Sequence, residues 1–552
     1  MKTFVEYKND EIRIFDGKNR YNRSTSDDDI ITFKKWIDTY NHALIQIANE
    51  DILLNIGQDM YSWLDNENFW LNNCLDNAKT PFIIEFKVPK RLSDVQNAFI
   101  EVPWELLADD KGHLAKNPEI KFCPVRRIGE ENKNKKSPSG FRLNAVFMAA
   151  SPRNVKPVLA FEEEENVILN LHTDNSLEMD LFVEESGNLS LLTNLVSELT
   201  PVDVVHISCH GNIDFGDKGN PEPYLYLEKI TGDYDKVTGE EFDKIFSQNK
   251  PPLIFLSGCK TSETYETKET DNSTTHRSFV QTIIKRGFPA VLGWSSSVSD
   301  YEATRFAGEF YRNLSQHSTL GDAVANARYN LFIPPKEQKE NYRSECWHLA
   351  RLYLGADGGG ILSNGSKKRF DFEKDTGVKE FLDKKGEKVA VASRREFVGR
   401  RRQIQDILKD FGDKKHVGVL ILGLGNQGKS SLAARVANRM YNYKIVVVFG
   451  DKENKRMYSA YNILNELKTV ASDIDTEKKI IKLLEEVGNN EALFKTSLKE
   501  LLEGPFSGKD DKHKAILLVI DDLEKILIEP QKTSSLYSVE LNLTIVRWFD
   551  LH

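Results

Sequence analysis

The chain has 552 residues, enough for three or four domains at roughly 150 residues each, or fewer if large α/β units are present. Its 75 basic and 84 acidic residues give a net charge of −9 and a pI near 5.8, with 40% hydrophobic and 29% charged residues. That composition excludes a disordered or collagen-like chain and argues against a general nucleic-acid binder. No apolar run approaches the roughly 18 residues of a membrane span, and MKTFVEYKND has no secretory leader pattern. Cys74, Cys123, Cys209, Cys259 and Cys346 are too dispersed for a disulfide framework and form no C-x-x-C zinc pair. The expected compartment is the cytoplasm, with its thiols reduced.

In chain order, an amphipathic stretch from Phe33 to Asn49 precedes short apolar runs: FIIEFKV (82–88), NAVFMAA (144–150), VDVVHIS (202–208), PLIFLSG (252–258) and AVLGW (290–294). Stretches with helical periodicity separate them, so the runs predict buried strands of a mostly parallel sheet with helices on both faces, an α/β unit. The expected division is an N-terminal cap, or an extension of the unit that follows, over 1–50, an α/β domain over 51–360, a charged linker over 361–394 and a second α/β domain over 395–552. Within the linker, 14 of the 23 residues from Ser366 to Lys388 are charged. EENKNKKSPSG (130–140) reads as a solvated loop with no assigned role. TSETYETKETDNSTTHR (261–277), with eight Ser or Thr and four acidic residues, has little to bury and is expected to be mobile.

His210 and Cys259 each follow a run that reads as a buried parallel strand, and in such sheets the carboxyl ends of neighbouring strands form the ligand-binding edge. Nucleophilic cysteine chemistry needs a thiolate, a base to manage protons and backbone donors for the tetrahedral oxyanion. Cys259 supplies the first and His210 the second, with the amides of Gly211 and Cys259 as oxyanion donors; glycine lets the backbone approach a scissile carbonyl. Against this stands the plainer reading, in which His210 is a turn residue and Cys259 a small buried hydrophobe. His206 and Cys209 read as core, and Cys346, in the helix-like ECWHLARLYL, as structural.

The segments VPWELL (102–107), NAVFMAASP (144–152), VVHISCHG (204–211), IFLSGCKTSE (254–263), RGFPAVLGWSSSVSD (286–300) and FAGEFYRNL (306–314) together resemble the CHAT peptidases of the caspase and separase clan, over roughly residues 50 to 355. The resemblance implies a caspase-like three-layer α/β/α sandwich with His210 and Cys259 as its dyad. By likeness to the related separases, which hold an arginine with an acidic side chain beyond the nucleophile, Asp300 is expected to line the substrate pocket. The competing reading makes Asp300 the cap of a helix beginning near Tyr301.

After the linker, GLGNQGKS (423–430) fits G-x-x-x-x-G-K-[ST] between a strand-like and a helix-like run. Gly423, Gly425, Asn426, Gln427, Gly428 and Ser431 belong to the phosphate cradle, Lys429 neutralises phosphate charge and Ser430 ligates magnesium. AILLVIDDLEK (515–525) reads as the second acidic strand, Asp521 holding Mg2+ and Asp522 orienting water. The unit is thus a P-loop NTPase α/β domain with ATP or ADP and Mg2+ as cofactors. The preceding REFVGRRRQIQDIL (395–408) resembles the opening segment of STAND ATPases, which implies that Phe397 and Val398 pack near the adenine, although Arg401 and Arg402 replace the acidic residues common there. The domain is expected to stop short after the second acidic strand, so a sensor partner or a missing C-terminal sensor region is implied.

The combined expectation is a caspase-like cysteine endopeptidase acting on a protein or peptide substrate. A nucleotide-binding, oligomerising switch gates it, homo-oligomer formation orders the 261–277 segment, and the implied setting is bacterial immunity or cell-death signalling. The alternative is an ATP-dependent scaffold whose caspase-like unit is an inactive interaction module. A third reading, a plain ATPase, predicts steady nucleotide turnover without an activator.

Overall fold

The computed structural model describes residues 3–45, 50–65, 69–76, 78–134, 138, 142–152, 154–173, 177–199, 201–215, 221–258, 265–268, 274–335, 342–365, 380–383, 389–393, 396–412, 416, 418–440, 443–449, 460–486, 491–522 and 542–549. Two compact units divide the chain, the boundary falling between Phe372 and Glu373, with Ile230–Asp233 grouped with the second.

The first unit is a mixed α/β fold around an 11-stranded sheet. Its strand order is Arg20–Ser24, Glu11–Phe15, Thr3–Lys8, Ile83–Val88, Cys123–Ile128, Ala350–Leu354, Ala290–Trp294, Leu253–Ser257, Val204–Ser208, Leu143–Ala149 and Met179–Glu184. Pairing is parallel except at Ala290–Trp294 with Ala350–Leu354 and in the N-terminal meander. The central strands LIFLS and VVHIS are buried at every residue, as a sheet covered on both faces requires. Alternation along the strands sends Phe147, His206, Phe255 and Trp294 to one face, where they meet Phe306, Phe310 and Tyr311 of the Asp300–Ser315 helix. Arg351 and Tyr353 point to the other face, where both bond Glu101 of the Asp94–Glu101 helix, which also accepts from Gln281 of the Phe279–Lys285 helix.

Within residues 1–50, Thr3–Lys8 and Glu11–Phe15 alternate buried and half-buried residues, and Thr3–Lys8 joins the main sheet in parallel with Ile83–Val88. The apolar stretch after Cys346 is a strand, Ala350–Leu354, not a helix. In the segment expected to be mobile, Tyr265–Lys268 and Thr274–Arg277 pair as an antiparallel hairpin, consistent with the β preference of their threonines; residues 259–264 and 269–273 lie outside the described residues.

The second unit holds a four-stranded sheet ordered Gly418–Gly423, Asn542–Phe549, Ile516–Asp521 and Lys444–Phe449. The last two strands run parallel, and Asn542–Phe549 lies antiparallel to both its neighbours, so one strand follows Asp521 in the chain. Val447, Leu517 and Val519 pack with the Arg401–Gly412 and Lys429–Arg439 helices. Val446, Val448, Ile516 and Leu518 pack on the opposite side with Leu464, Ile480, Leu483 and Leu501. Part of the stretch expected as a linker belongs to this unit: Glu380–Phe381 and Ala390–Val391 form a hairpin, because the apolar Leu382, Val389 and Val391 within the charged run have a core to enter.

Candidate active site and phosphate loop

Val204–Ser208 and Leu253–Ser257 are adjacent and parallel, with Ser208 opposite Ser257. The main-chain amide of Cys209 donates to the Ser257 carbonyl at 3.3 Å, so the strands stay paired to their last residues. In the sequence His210 lies two residues beyond Ser208 and Cys259 two beyond Ser257, so both positions follow neighbouring strands that end at the same edge of the sheet. Cys259 itself lies outside the described residues. His210 opens the strand His210–Phe215, which turns away from the main sheet into a small antiparallel one, with Gly211 opposite Leu225.

The His210 imidazole is partly exposed, and its Nε2 lies 2.7 Å from the Pro157 carbonyl oxygen. A carbonyl only accepts, so in the neutral ring Nε2 carries the proton and Nδ1 keeps its lone pair. Sequence reasoning missed Pro157 because its main chain, not its side chain, makes the contact.

Below this edge lies a small cleft, about 350 Å³ counted out to open solvent, lined among others by Cys209, Gly258, Glu164, Ala160 and Asp300. Asp300 is the first residue of its helix, but the cap is Ser299, whose hydroxyl accepts from the Glu302 amide at 3.3 Å. The capping role expected of Asp300 therefore belongs to its neighbour. Asp300 is exposed and accepts from the Ala160 amide at 3.2 Å. The remaining cysteines near these elements are inert in setting. Cys209 is fully buried in the core, and Cys346 is buried with its thiol pushed up to about 12, chiefly by desolvation and then by Glu302. His206 is core, as expected, and stacks on Phe255.

In the second unit, Gly423 to Gly428 wraps from the Gly418–Gly423 strand to the Lys429–Arg439 helix. Asn426 and Gly428 both adopt positive φ, 59° and 77°, the left-handed turn geometry that such a loop requires. Lys429 Nζ donates to the Leu424 carbonyl at 2.8 Å across the loop. Ser430 Oγ donates to Asp521 Oδ2 at 2.8 Å, so the two residues expected to hold Mg2+ do meet; their hard oxygen donors suit that ion. Asp522 follows with φ 59°, and the Ser431 hydroxyl accepts from the Ala392 amide at 3.0 Å. Of the two residues expected near the adenine, Phe397 is 5% exposed and packs under the Arg435 guanidinium, whereas Val398 is 39% exposed. Arg400, which sequence reasoning passed over, donates to the Gln427 carbonyl at 2.6 Å and braces the loop. Among the described residues no group of three or more His, Cys, Asp or Glu side chains forms a metal centre, and no helix is long and apolar enough to cross a membrane.

The CHAT domain family matches residues 94–356, a span containing His210, Cys259 and Asp300. No curated protein sequence matches the chain. Solved structures similar to it include the Saccharomyces cerevisiae separase–securin complex, at 13% identity and a TM-score of 0.29 over 50% of this chain and 15% of that one. The Arg-specific cysteine proteinase gingipain R is similar at 10% identity and a TM-score of 0.33, over 55% of this chain and 67% of that one. A secreted C11 cysteine protease from Bacteroides thetaiotaomicron is similar at 11% identity and a TM-score of 0.24, over 35% of this chain and 58% of that one. The chain thus spans about 15% of the length of the separase it matches.

Proposed function

We propose that the first unit is a cysteine endopeptidase in which Cys259 is the nucleophile and His210 the base, gated by a nucleotide-binding second unit. The observation that carries this reading is the register of Ser208 against Ser257, which sends the His210 and Cys259 segments off one edge side by side, within a span matched by the CHAT domain. The Pro157 carbonyl accepts from His210 Nε2 at 2.7 Å, which leaves Nδ1 of the neutral ring with its lone pair. That nitrogen takes the thiol proton and returns it to the leaving amine, while amides at Gly211 and Cys259 receive the oxyanion. Asp300, at the cleft beside these strand ends, favours a basic residue before the cut, since a guanidinium gives a carboxylate a charge-assisted partner.

In the second unit, Ser430 and Asp521 would hold Mg2+, and the loop amides with Lys429 would hold the phosphates of ATP or ADP. A bound magnesium nucleotide would supply charge at this loop, and its state would favour the form that assembles into a homo-oligomer and orders the segment at 261–277, which follows the nucleophile in the chain. A protein substrate, a partner supplying sensor elements and a role in bacterial immunity or cell death complete the proposal.

The test is labelling with an irreversible thiol-reactive peptide probe bearing arginine, with and without MgATP, followed by mapping the modified residue. The reading expects modification at Cys259, enhanced by nucleotide and abolished in Cys259→Ala and His210→Ala. Modification at Cys209 or Cys346 instead, or a Cys259→Ala protein that keeps its biological output, rejects the protease in favour of a scaffold.

A further inference from the structure

Directly beneath the two strand ends sits a buried carboxylate that the reaction as described does not use. Glu164, on the Phe161–Thr173 helix, is 4% exposed and shares the cleft lining with Ser208 and Ser257. Its Oε1 accepts from the Ser257 hydroxyl at 2.8 Å and lies 3.4 Å from His206 Nε2, a polar contact without the alignment of a hydrogen bond. The imidazole of His206 cannot swing away. It lies parallel to Phe255 at 4.3 Å and to Tyr311 at 5.8 Å, and edge-on to Phe147. Burial alone would raise the Glu164 carboxyl, but the adjoining His206 imidazole and the hydroxyls of Ser257 and Ser208 outweigh it and hold the group below the usual carboxylate range. A buried pair of this kind is weak evidence for stability, because well-packed apolar residues often serve as well or better. Its placement is more informative: one acceptor ties His206, four residues before His210, to Ser257, two residues before Cys259.

We propose that Glu164 is a positioning residue for the dyad: by tying the Val204–Ser208 and Leu253–Ser257 strand ends to one helix, its carboxylate sets the spacing at which the His210 and Cys259 segments leave the sheet. This rests on the protease reading. The carboxylate itself touches neither substrate nor the reacting atoms; it acts through the register of two strands. Losing the charge while keeping the shape loosens that spacing, and a misplacement on the order of 1 Å is enough to cost about a hundredfold in rate.

The test uses the full chain with Glu164→Gln, Ser257→Ala and the apolar pair Glu164→Met with His206→Phe. Glu164→Gln is expected to lower kcat on an arginyl peptide about ten- to hundredfold with KM nearly unchanged, and to slow alkylation of Cys259 by iodoacetamide. Ser257→Ala follows in the same direction. The apolar pair is expected to melt no lower than the wild type and still react slowly, which separates positioning from stability. Glu164→Gln or the apolar pair retaining wild-type kcat and alkylation rate overturns the proposal. If Cys259→Ala leaves peptide cleavage intact, the protease reading fails by itself. The His210 ring resonance, assigned with His210→Gln, then reads the proposal independently: a signal displaced in Glu164→Gln supports it, and an unmoved one overturns it.

Discussion

Replacing Asp300 by Asn isolates charge recognition in the proposed substrate cleft. Asparagine keeps an oxygen for the Ala160 amide, now held at 3.2 Å, and leaves the Ser299 cap untouched, so the fold should persist. Loss of a negative charge in the first helical turn costs only about 0.3–1 kcal/mol. What changes is the attraction for an incoming guanidinium. Hydrogen bonds to charged groups contribute about 1.5–3 kcal/mol, and because Asp300 is exposed the lower end applies, which is about a tenfold effect. The assay is a paired measurement of kcat/KM on two peptides differing only in arginine or glutamine before the cut. The arginyl peptide should lose about tenfold, chiefly through KM, while the glutaminyl peptide stays level. An equal loss on both would show a structural disturbance, and no loss on either would remove Asp300 from the pocket.

Three further outcomes follow from buried charge and from the loop. Glu105 and Arg126 are both fully buried and pair at 2.5 and 2.8 Å, so Glu105→Ala, which strands the guanidinium, should destabilise the first unit by about 3–5 kcal/mol, read as a lowered first melting transition; an unchanged transition refutes the burial argument. The Arg126 charge holds Glu105 below the usual carboxylate range despite desolvation, so the pair's contribution persists at neutral pH and is lost only as pH falls through that depressed value. Asp203 behaves oppositely: burial pushes its carboxyl up to about 7, only partly offset by the Asn144 amide. The folded chain keeps a proton that the unfolded chain has released, so stability should decline as pH rises from about 4 toward that value, and Asp203→Asn should flatten the slope of melting temperature against pH; an identical slope would refute the assignment. Ser430→Ala removes the hydroxyl bonded to Asp521 and should weaken ATP binding with Mg2+ more than without it, measured by titration calorimetry; equal weakening in both would place Ser430 outside any ion site.

Much of the architecture was legible because its strands are continuous apolar runs: VVHIS and LIFLS could hardly be anything but central. The N-terminal strands were missed because TFVEYK and EIRIF alternate, the pattern of a half-covered strand, and their place in the sheet depends on pairing with Ile83–Val88, a contact that local patterning does not contain. The hairpin at 380–391 was hidden for a related reason: charge dominates its composition, while only Leu382, Val389 and Val391 decide where it packs. Phe397 shows a different limit: its likeness to a nucleotide-site motif names the residue, while its burial in the second unit's core is visible only once the chain is folded.

The site divides along the same line. His210, Asp300, Lys429, Ser430 and Asp521 announce themselves by residue type and spacing, since in the proposed chemistry it is their side chains that act. Pro157, Ala160 and Arg400 do not, because the first two act through main-chain atoms and the third braces a main-chain carbonyl. Glu164 stands between these cases. It sits in the run FEEEEN, where helical periodicity must turn at least one acid toward the sheet, yet only the structure identifies which one meets His206 and Ser257. Pro157, Ala160 and Glu164 lie within eight consecutive residues and contact in turn the His210 ring, the Asp300 carboxylate and the strand ends below both. Residues 157–164 therefore connect base, cleft and sheet through local backbone geometry, and a change that rotates the start of the Phe161–Thr173 helix would disturb all three at once.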